Sequence, residues 1–504
     1  MITTIFHKYL DYKYREIDAI IDRPVEIQEN ILKNLLQRAQ NTLIGTEYKF
    51  GTLKNKDDFR KRVPVFHYEG LRPYLDKIII DKKQNVLWDK PVKWFAMSSG
   101  TTQDKSKYIP VTKESLTEGH YKCGEQMLAL YNKANPQNGF FKGKTLVLGG
   151  SQQINNIGEG IFTGDISAIL TKNLLFWARL SRTPEKITLL PDWVEKLKVL
   201  TAYSLKHDIR ALMGVPSWLL VLLKKIREES GKELTELWPH LEVFFHGGVS
   251  FTPFEEQYKK LIDKRDMYYW ENYNASEGFF GVQFSNASKD MLLMLDSNVY
   301  YEFVPMSEWD APHPQTLTLD EVETGQNYAL LITTNGGLWR YMIGDTIEFT
   351  SLKPYLFKIT GRTKSFINAF GEELIIDNAE KALQAACQKT NAQISEYTAA
   401  PVYFGDNNAG AHEWLIEFEK EPSDIEIFTQ TLDEALKAVN SDYEAKRSYN
   451  LSLQMPIVRI LPQGSFLYWQ ESINKVGGQN KIPRLSNNRD YIERIIAFLE
   501  KGKS

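Results

Sequence analysis

The chain has 504 residues, 42% of them hydrophobic, and a formal charge of −3. That length exceeds one ordinary core and predicts a large domain with a smaller one, while the near-neutral charge supplies no global field for gripping a nucleic-acid backbone. Two cysteines, Cys123 and Cys387, are too few for a disulfide framework or a four-ligand zinc site, and the longest aliphatic stretch, "WLLVLL", falls far short of the roughly 20 residues a membrane span needs. We therefore expect a cytoplasmic protein with no nucleic-acid, membrane or protein partner.

In chain order, helical periodicity appears first at Ile27, Ile31, Leu32, Leu35 and Leu36. The apolar run "VKWFAM" leads into "SSGTTQDKSKYIP" (98 to 110), and strand-like runs follow in "TLVLGG" (145 to 150), "RALMGV" (210 to 215) and "EVFFHGG" (242 to 248). Between the last two, Pro216 opens a helix that Gly231 should close, following the preference for proline at helix starts and glycine after helix ends. Strand, helix, strand predicts a largely parallel α/β sheet. Residues 292 to 360 read as closely spaced strands and predict an antiparallel part. Beyond "GRTKSFINAFGEE", the helices "NAEKALQAACQK" and "IEIFTQTLDEALKAV" flank the strand "EWLIEFE", an α+β unit of about 140 residues. The boundary is expected between Gly361 and Ser365, giving domains 1–362 and 363–504.

Two glycine-rich stretches are set aside. "GFFKGKT" (139 to 145) has one residue too few between its glycines for a P-loop and runs into a strand instead of a helix. "GEGIFTG" (158 to 164) lacks the last glycine of the dinucleotide fingerprint and reads as a flexible loop.

The loop opening at Ser98 is chemically richer. Ser98, Ser99, Gly100, Thr101 and Thr102 let backbone amides and hydroxyls converge on an anion, and Lys105 or Lys107 can add a cation. A polyphosphate fits such a nest; a polar surface turn is the plainer reading of those residues alone. Four later stretches add to it. Paired glycines Gly247 and Gly248 after an apolar run let backbone lie flat against a planar group. "YWENYNASEG" places Glu277 just past a strand, where a carboxylate can hold Mg²⁺ between phosphate oxygens. "LWRYMIGDTIEF" sets Asp345 after a glycine between strands, a carboxylate able to accept both hydroxyls of a ribose. "ITGRTKSFINAFGEEL" carries Arg362 at the boundary. Last, "GGQNKIPRL" puts Lys481 in a glycine-rich loop near the C-terminus.

Taken in order, these stretches resemble the adenylate-forming superfamily of acyl and luciferase-type ligases, and within it a bacterial-type member of the Gretchen Hagen (auxin-responsive promoter) family of acyl acid amido synthetases. The resemblance runs from "FRKRVPVFHYEGLRPYL" near residue 60 to "NKIPRL". It implies an α/β fold in which a large N-terminal adenylation domain with mixed sheets precedes a small mobile C-terminal α+β domain. It also implies ATP and Mg²⁺, with a small carboxylic acid and an amino acid as substrates. By resemblance, Ser98, Ser99, Gly100, Thr101, Thr102, Gly247, Gly248, Tyr273, Asn274, Ser276, Asp345 and Arg362 bind nucleotide, Glu277 holds the metal, and Lys481 is the catalytic lysine. The chain departs from the pattern at Gln103 and Asp104, where glycine is common, and at Met342, where plant members carry arginine. An acyl-coenzyme A ligase and a non-catalytic nucleotide-binding protein remain the alternative readings.

Overall fold

In the computed structural model, the helix Pro216–Ser230 begins on its proline and ends where Gly231 turns left-handed at φ +63°, with the Gly231 amide donating to Arg227 O. Glycine takes that conformation without a Cβ clash. The structure describes all residues except 1, 100–105, 150–153, 175, 310, 312, 364–365, 405–409, 448–452, 474–482 and 502–504, and omits side chains at a few flanking positions that include Ser99 and Arg362.

The chain divides into two units. Met1–Ser98, Tyr108–Phe251 and Glu255–Thr363 make up the first, and Ser99–Lys107, Thr252–Phe254 and Lys364–Ser504 the second. Up to residue 362 the strands are β1 (Trp94–Ser99), β2 (Ser106–Val111), β3 (Lys144–Leu148), β4 (Asn155–Asn156), β5 (Phe162–Gly164), β6 (Ile209–Gly214) and β7 (Val243–His246). They continue with β8 (Tyr268–Ala275), β9 (Gly278–Gln283), β10 (Met291–Leu293), β11 (Val299–Pro305), β12 (Asn327–Thr334), β13 (Tyr341–Leu352) and β14 (Tyr355–Arg362). Ten of them form one sheet in the order β11-β12-β13-β14-β10-β9-β8-β7-β6-β3, and the other four form a small sheet, β2-β1-β5-β4.

The large sheet changes character along its width. Strands β3, β6, β7 and β8 run parallel, and β7 is buried at every position, as a near-continuous apolar strand covered on both faces should be. From β8 to β14 and on through β12 and β11 the neighbours are antiparallel. The parallel and antiparallel parts predicted separately therefore join in a single sheet. Two apolar clusters cover it: one packs helices Pro24–Ala39 and Tyr68–Ile79 against residues such as Tyr301, Leu330 and Phe357, and the other packs helices Ile2–Asp22 and Lys122–Ala134 against Phe245, Trp270 and Leu292.

Two buried polar groups tie the first of these layers together. Gln28, 3% exposed on the helix Pro24–Ala39, donates to Leu295 O and Val299 O at 2.8 and 2.9 Å and accepts from Tyr301 N at 2.9 Å. Arg340 pairs with Glu302 through two 2.9 Å contacts and also donates to Thr316 Oγ1, Arg60 O and Val63 O. A planar guanidinium offers five N–H donors, and this arrangement spends them on partners within the protein.

Two sequence expectations need correction. The stretch 158 to 164 is a turn with Gly158 and Gly160 at positive φ, followed by β5 in parallel register with β1, so pairing orders what looked like a flexible loop. Asp345 lies inside the twelve-residue strand β13 instead of between strands. Gly344, at φ +98°, and register shifts against both β12 and β14 absorb the irregularity and let the strand continue.

The second unit adds β15 (Phe366–Ile367), β16 (Leu374–Ile375), β17 (Gln393–Val402), β18 (Ala411–Lys420) and β19 (Ile457–Leu461). β18 lies central, antiparallel to β17 and parallel to β19. Helices Ile376–Thr390, Ile425–Val439 and Asp490–Lys501 complete an α+β unit. Among the described residues, no helix is long and apolar enough to cross a membrane.

Candidate active site

Of the predicted nucleotide-binding residues, Gly247, Gly248, Tyr273 and Asn274 stand at the ends of β7 and β8, and Asp345 stands in the interior of β13. On β8, the register against β9 slips by one residue between Tyr273 and Asn274; such a bulge re-aims side chains. Tyr273 is buried, with its ring edge-on to Phe280 at 5.1 Å, and its hydroxyl donates to Asp345 Oδ2 on β13. Asp345, 8% exposed, stands in register with Arg362 of β14. Two motifs 72 residues apart are thereby joined.

Asn274 is fixed from another side. His120 Nδ1 lies 2.9 Å from Asn274 Oδ1, and burial pushes the His120 imidazole down to about 4. The ring is neutral at ordinary pH, so Nδ1–H donates to the amide oxygen and leaves the Asn274 NH₂ as a donor. His120 belongs to the π-helical turn Ser115–Tyr121, a rare element often found at functional sites. Nothing in the local pattern "LTEGHYK" marks it, because its partner lies 154 residues away.

The turn from β8 to β9 carries Ser276 and Glu277, both half-buried. At the end of β7, a Cβ on Gly247 would come within 2.3 Å of Asn272 O. Packing against β8 thus already requires a glycine there, and Gly248 is a glycine for a second reason, its φ of +85°. Ser98 is half-buried at the end of β1. Gly100, Thr101, Thr102, Gln103, Asp104, Lys105 and Lys481 lie outside the described residues, as do the side chains of Ser99 and Arg362. Met342 packs with Val304, Ala329 and Leu331, so its place in the tyrosine-to-aspartate motif is an apolar core position. Trp218 and Leu219 are buried in the first turns of the helix Pro216–Ser230, with Trp218 edge-on to Trp193 at 6.0 Å.

A mixed sheet with one carboxylate in the turn after β8 and another inside β13 of the same sheet, followed by a separate α+β unit, has the fold of the adenylate-forming ligases. The solved GH3.15 acyl acid amido synthetase superposes with a TM-score of 0.61 at 20% identity, covering 95% of this chain and 94% of that one. A 2-hydroxyisobutyryl-CoA ligase in complex with 2-HIB-AMP and CoA superposes with a TM-score of 0.58 at 13% identity, covering 94% and 92%. The sequence matches the GH3 family N-terminal domain over residues 13–267, the central domain over 292–362 and the C-terminal domain over 377–490. The chain belongs to the GH3 family. Its relatives include the indole-3-acetic acid-amido synthetase GH3.15 of Arabidopsis thaliana, 25% identical over 434 residues and 72% of each chain. The jasmonoyl-L-amino acid synthetase JAR4 of Nicotiana attenuata is 24% identical over 454 residues and 76% of each chain.

Proposed function

We propose that this chain is an ATP-dependent acyl acid amido synthetase. The carboxylate of a small acid attacks the α-phosphorus of ATP, pyrophosphate leaves, and an amino acid's amine then attacks the acyl-adenylate carbonyl to give an amide and AMP. The observation that carries the reading is the bond from Tyr273 to Asp345, which holds the tyrosine of one motif against the carboxylate of the next within a GH3-family chain. Phosphoryl-type displacement leaves the protein little covalent work, so positioning and charge stabilisation dominate.

In this reading Asp345 accepts the ribose hydroxyls, Gly247 and Gly248 border the adenine, and Asn274, with its NH₂ left free to donate by His120, and Ser276 face the nucleotide. Ser98, Ser99, Gly100, Thr101 and Thr102 cradle the phosphates. Glu277 suits Mg²⁺: it is a half-buried hard-oxygen ligand, and among the described residues no cluster of three His, Cys, Asp or Glu would hold a softer or fully protein-caged ion. When bound, the metal offsets negative charge on the phosphate oxygens. Residues 1–362 act as the adenylation domain and 363–504 as a mobile domain that turns near Arg362, bringing Lys481 to the α-phosphate for the first half-reaction only.

The test is acid-dependent exchange of labelled pyrophosphate into ATP over a panel of aryl, fatty and indole acids, followed by mass detection of amide with amino acids or thioester with coenzyme A. Exchange with thioester and no amide would replace this reading by a coenzyme A ligase. ATP binding without any exchange would leave a nucleotide-binding regulatory protein.

A further inference from the structure

Among the described residues of the first unit, the Arg182 side chain has no counterpart. Thr145 N donates to Ser181 O at 2.7 Å and Thr183 N donates to Thr145 O at 3.0 Å, so Arg182 stands opposite Thr145 as a single residue extending the edge of β3. The Thr183 hydroxyl accepts from Val147 N at 2.9 Å and fixes the same segment again. The backbone that carries Arg182 is therefore held rigidly. Its side chain is not: among the described residues, the guanidinium forms neither a hydrogen bond nor an ion pair. Arg179, three residues earlier, shows the contrast, donating to Leu174 O and Lys172 O at 3.0 and 3.1 Å and lying 3.3 Å from Glu185.

Arg182 is also deep. Burial lowers its guanidinium below its ordinary value, with Tyr121 acting in the opposite sense, yet the residue keeps part of its surface. A group that is largely desolvated and yet keeps some surface can be reached by a ligand. Guanidinium stays charged in proteins, and removing it from water without a partner costs stability unless an anion supplies the contacts. The position of Arg182 follows from its neighbours. Tyr121, the titratable group that senses Arg182, directly follows His120, whose ring holds Asn274. In the sheet, Arg182 adjoins β3, the end away from β13 and Asp345. An anion held by Arg182 would thus lie at the end of the sheet away from Asp345.

We propose that Arg182 binds a carboxylate of an organic substrate other than the one being activated: either a second carboxylate of the acyl acid or the α-carboxylate of the amino acid acceptor. The guanidinium fork meets a carboxylate through two parallel hydrogen bonds, and among the described residues no group competes for it. This inference rests on the amido synthetase reading, but one of its readouts does not.

The experiment compares wild type with Arg182→Met, Arg182→Lys and the control Arg179→Met. Without ligand, Arg182→Met is expected to melt at or above wild type, because it removes a half-buried charge that has no partner among the described residues; a structural arginine would melt lower. Glycine and succinate, used as plain carboxylate probes, should raise the wild-type melting temperature and leave that of Arg182→Met unmoved. These measurements hold even if no acid supports pyrophosphate exchange, a result that would sink the amido synthetase reading instead. In exchange assays, a dicarboxylic acid whose KM rises roughly 10-fold to 100-fold in Arg182→Met, beside unchanged monocarboxylic acids, assigns the acid as the source. Unchanged exchange with a similar rise in amino acid KM, and equal use of the matching amine without its carboxylate, assigns the acceptor. Arg182→Lys should recover part of the loss as a point charge. A lower melting temperature in Arg182→Met, with KM values and probe responses like wild type, would overturn the proposal.

Discussion

The Tyr273 hydroxyl donates to the Asp345 carboxylate across 72 residues of sequence. The bond ties one Asp345 carboxylate oxygen to the tyrosine of the other motif. Tyr273→Phe should weaken ATP and AMP by a similar factor, roughly 3-fold to 10-fold, as expected for one hydrogen bond to a charged group in a partly compensated setting. Isothermal titration with Tyr273→Phe, Asp345→Asn and the double variant should give a coupling energy of about 0.5 to 3 kcal/mol. Strict additivity would show that the two residues act independently.

The proposed role of Glu277 predicts that metal and nucleotide binding can be separated. Glu277→Gln keeps the shape and removes the charge, so adenylation should fall steeply while AMP, which lacks the β- and γ-phosphates, binds nearly as before. Exchange kinetics over a magnesium titration check this. Undiminished exchange at low magnesium would place the metal on another residue.

Lys481→Ala is expected to slow adenylate formation by roughly 10²-fold to 10³-fold, the usual loss of one donor to developing charge, and to leave amide formation from synthetic acyl-adenylate near normal. Single-turnover assays of the two half-reactions distinguish this from equal damage to both, which would mean that the lysine does not leave the site between steps.

Arg340 and Glu302 are 4% and 1% exposed. Truncating either alone strands a buried charge, so Arg340→Ala or Glu302→Ala should each cost about 3 to 5 kcal/mol in chemical denaturation. Nucleotide affinity of whatever folded protein remains should be unchanged, since the guanidinium is already committed to Glu302, Thr316, Arg60 and Val63.

Glu271 on β8 and His246 on β7 are register partners. Burial raises the Glu271 carboxyl from 4.5 to about 7 and lowers the His246 imidazole from 6.5 to about 3. An unfolded chain ionises Glu271 above 4.5 while the folded one keeps it neutral to about 7, so this residue's contribution is lost as pH rises through that window. His246 works the other way, its contribution being lost as pH falls below 6.5. Glu271→Gln removes the first slope and leaves the second. Its stability should climb more steeply with pH than wild type between 4.5 and 7, by about 3 kcal/mol in total. Superimposable denaturation profiles would show that the carboxyl titrates normally.

Local signals in the sequence fared well because their causes are local. The helix from Pro216 to Gly231 depends on one fixed φ and one permissive residue, and both can be read without knowing the fold. Asp345 was legible as a candidate but not as a strand-interior residue, because the irregularity at Gly344 is decided by pairing with β12 and β14. His120 and Arg182 carried no pattern at all. The first matters through Asn274, 154 positions away, and the second through the lack of a partner among the described residues, which a sequence cannot display. Gly247 was read through a possible ligand, whereas the carbonyl of Asn272 already accounts for it.

The joining of parallel and antiparallel strands in one sheet also sets an order of assembly. A chain leaving the ribosome completes β3, β6, β7 and β8 before Asp345 has been made. The three-residue strand β10 then waits with one edge open until β14 arrives and closes it. Glu277 and Asp345 sit on opposite sides of that last closure. A translation product that ends before β13 can hold the turn that bears Glu277 but not Asp345, so the two carboxylates come together only once β13 and β14 have been made.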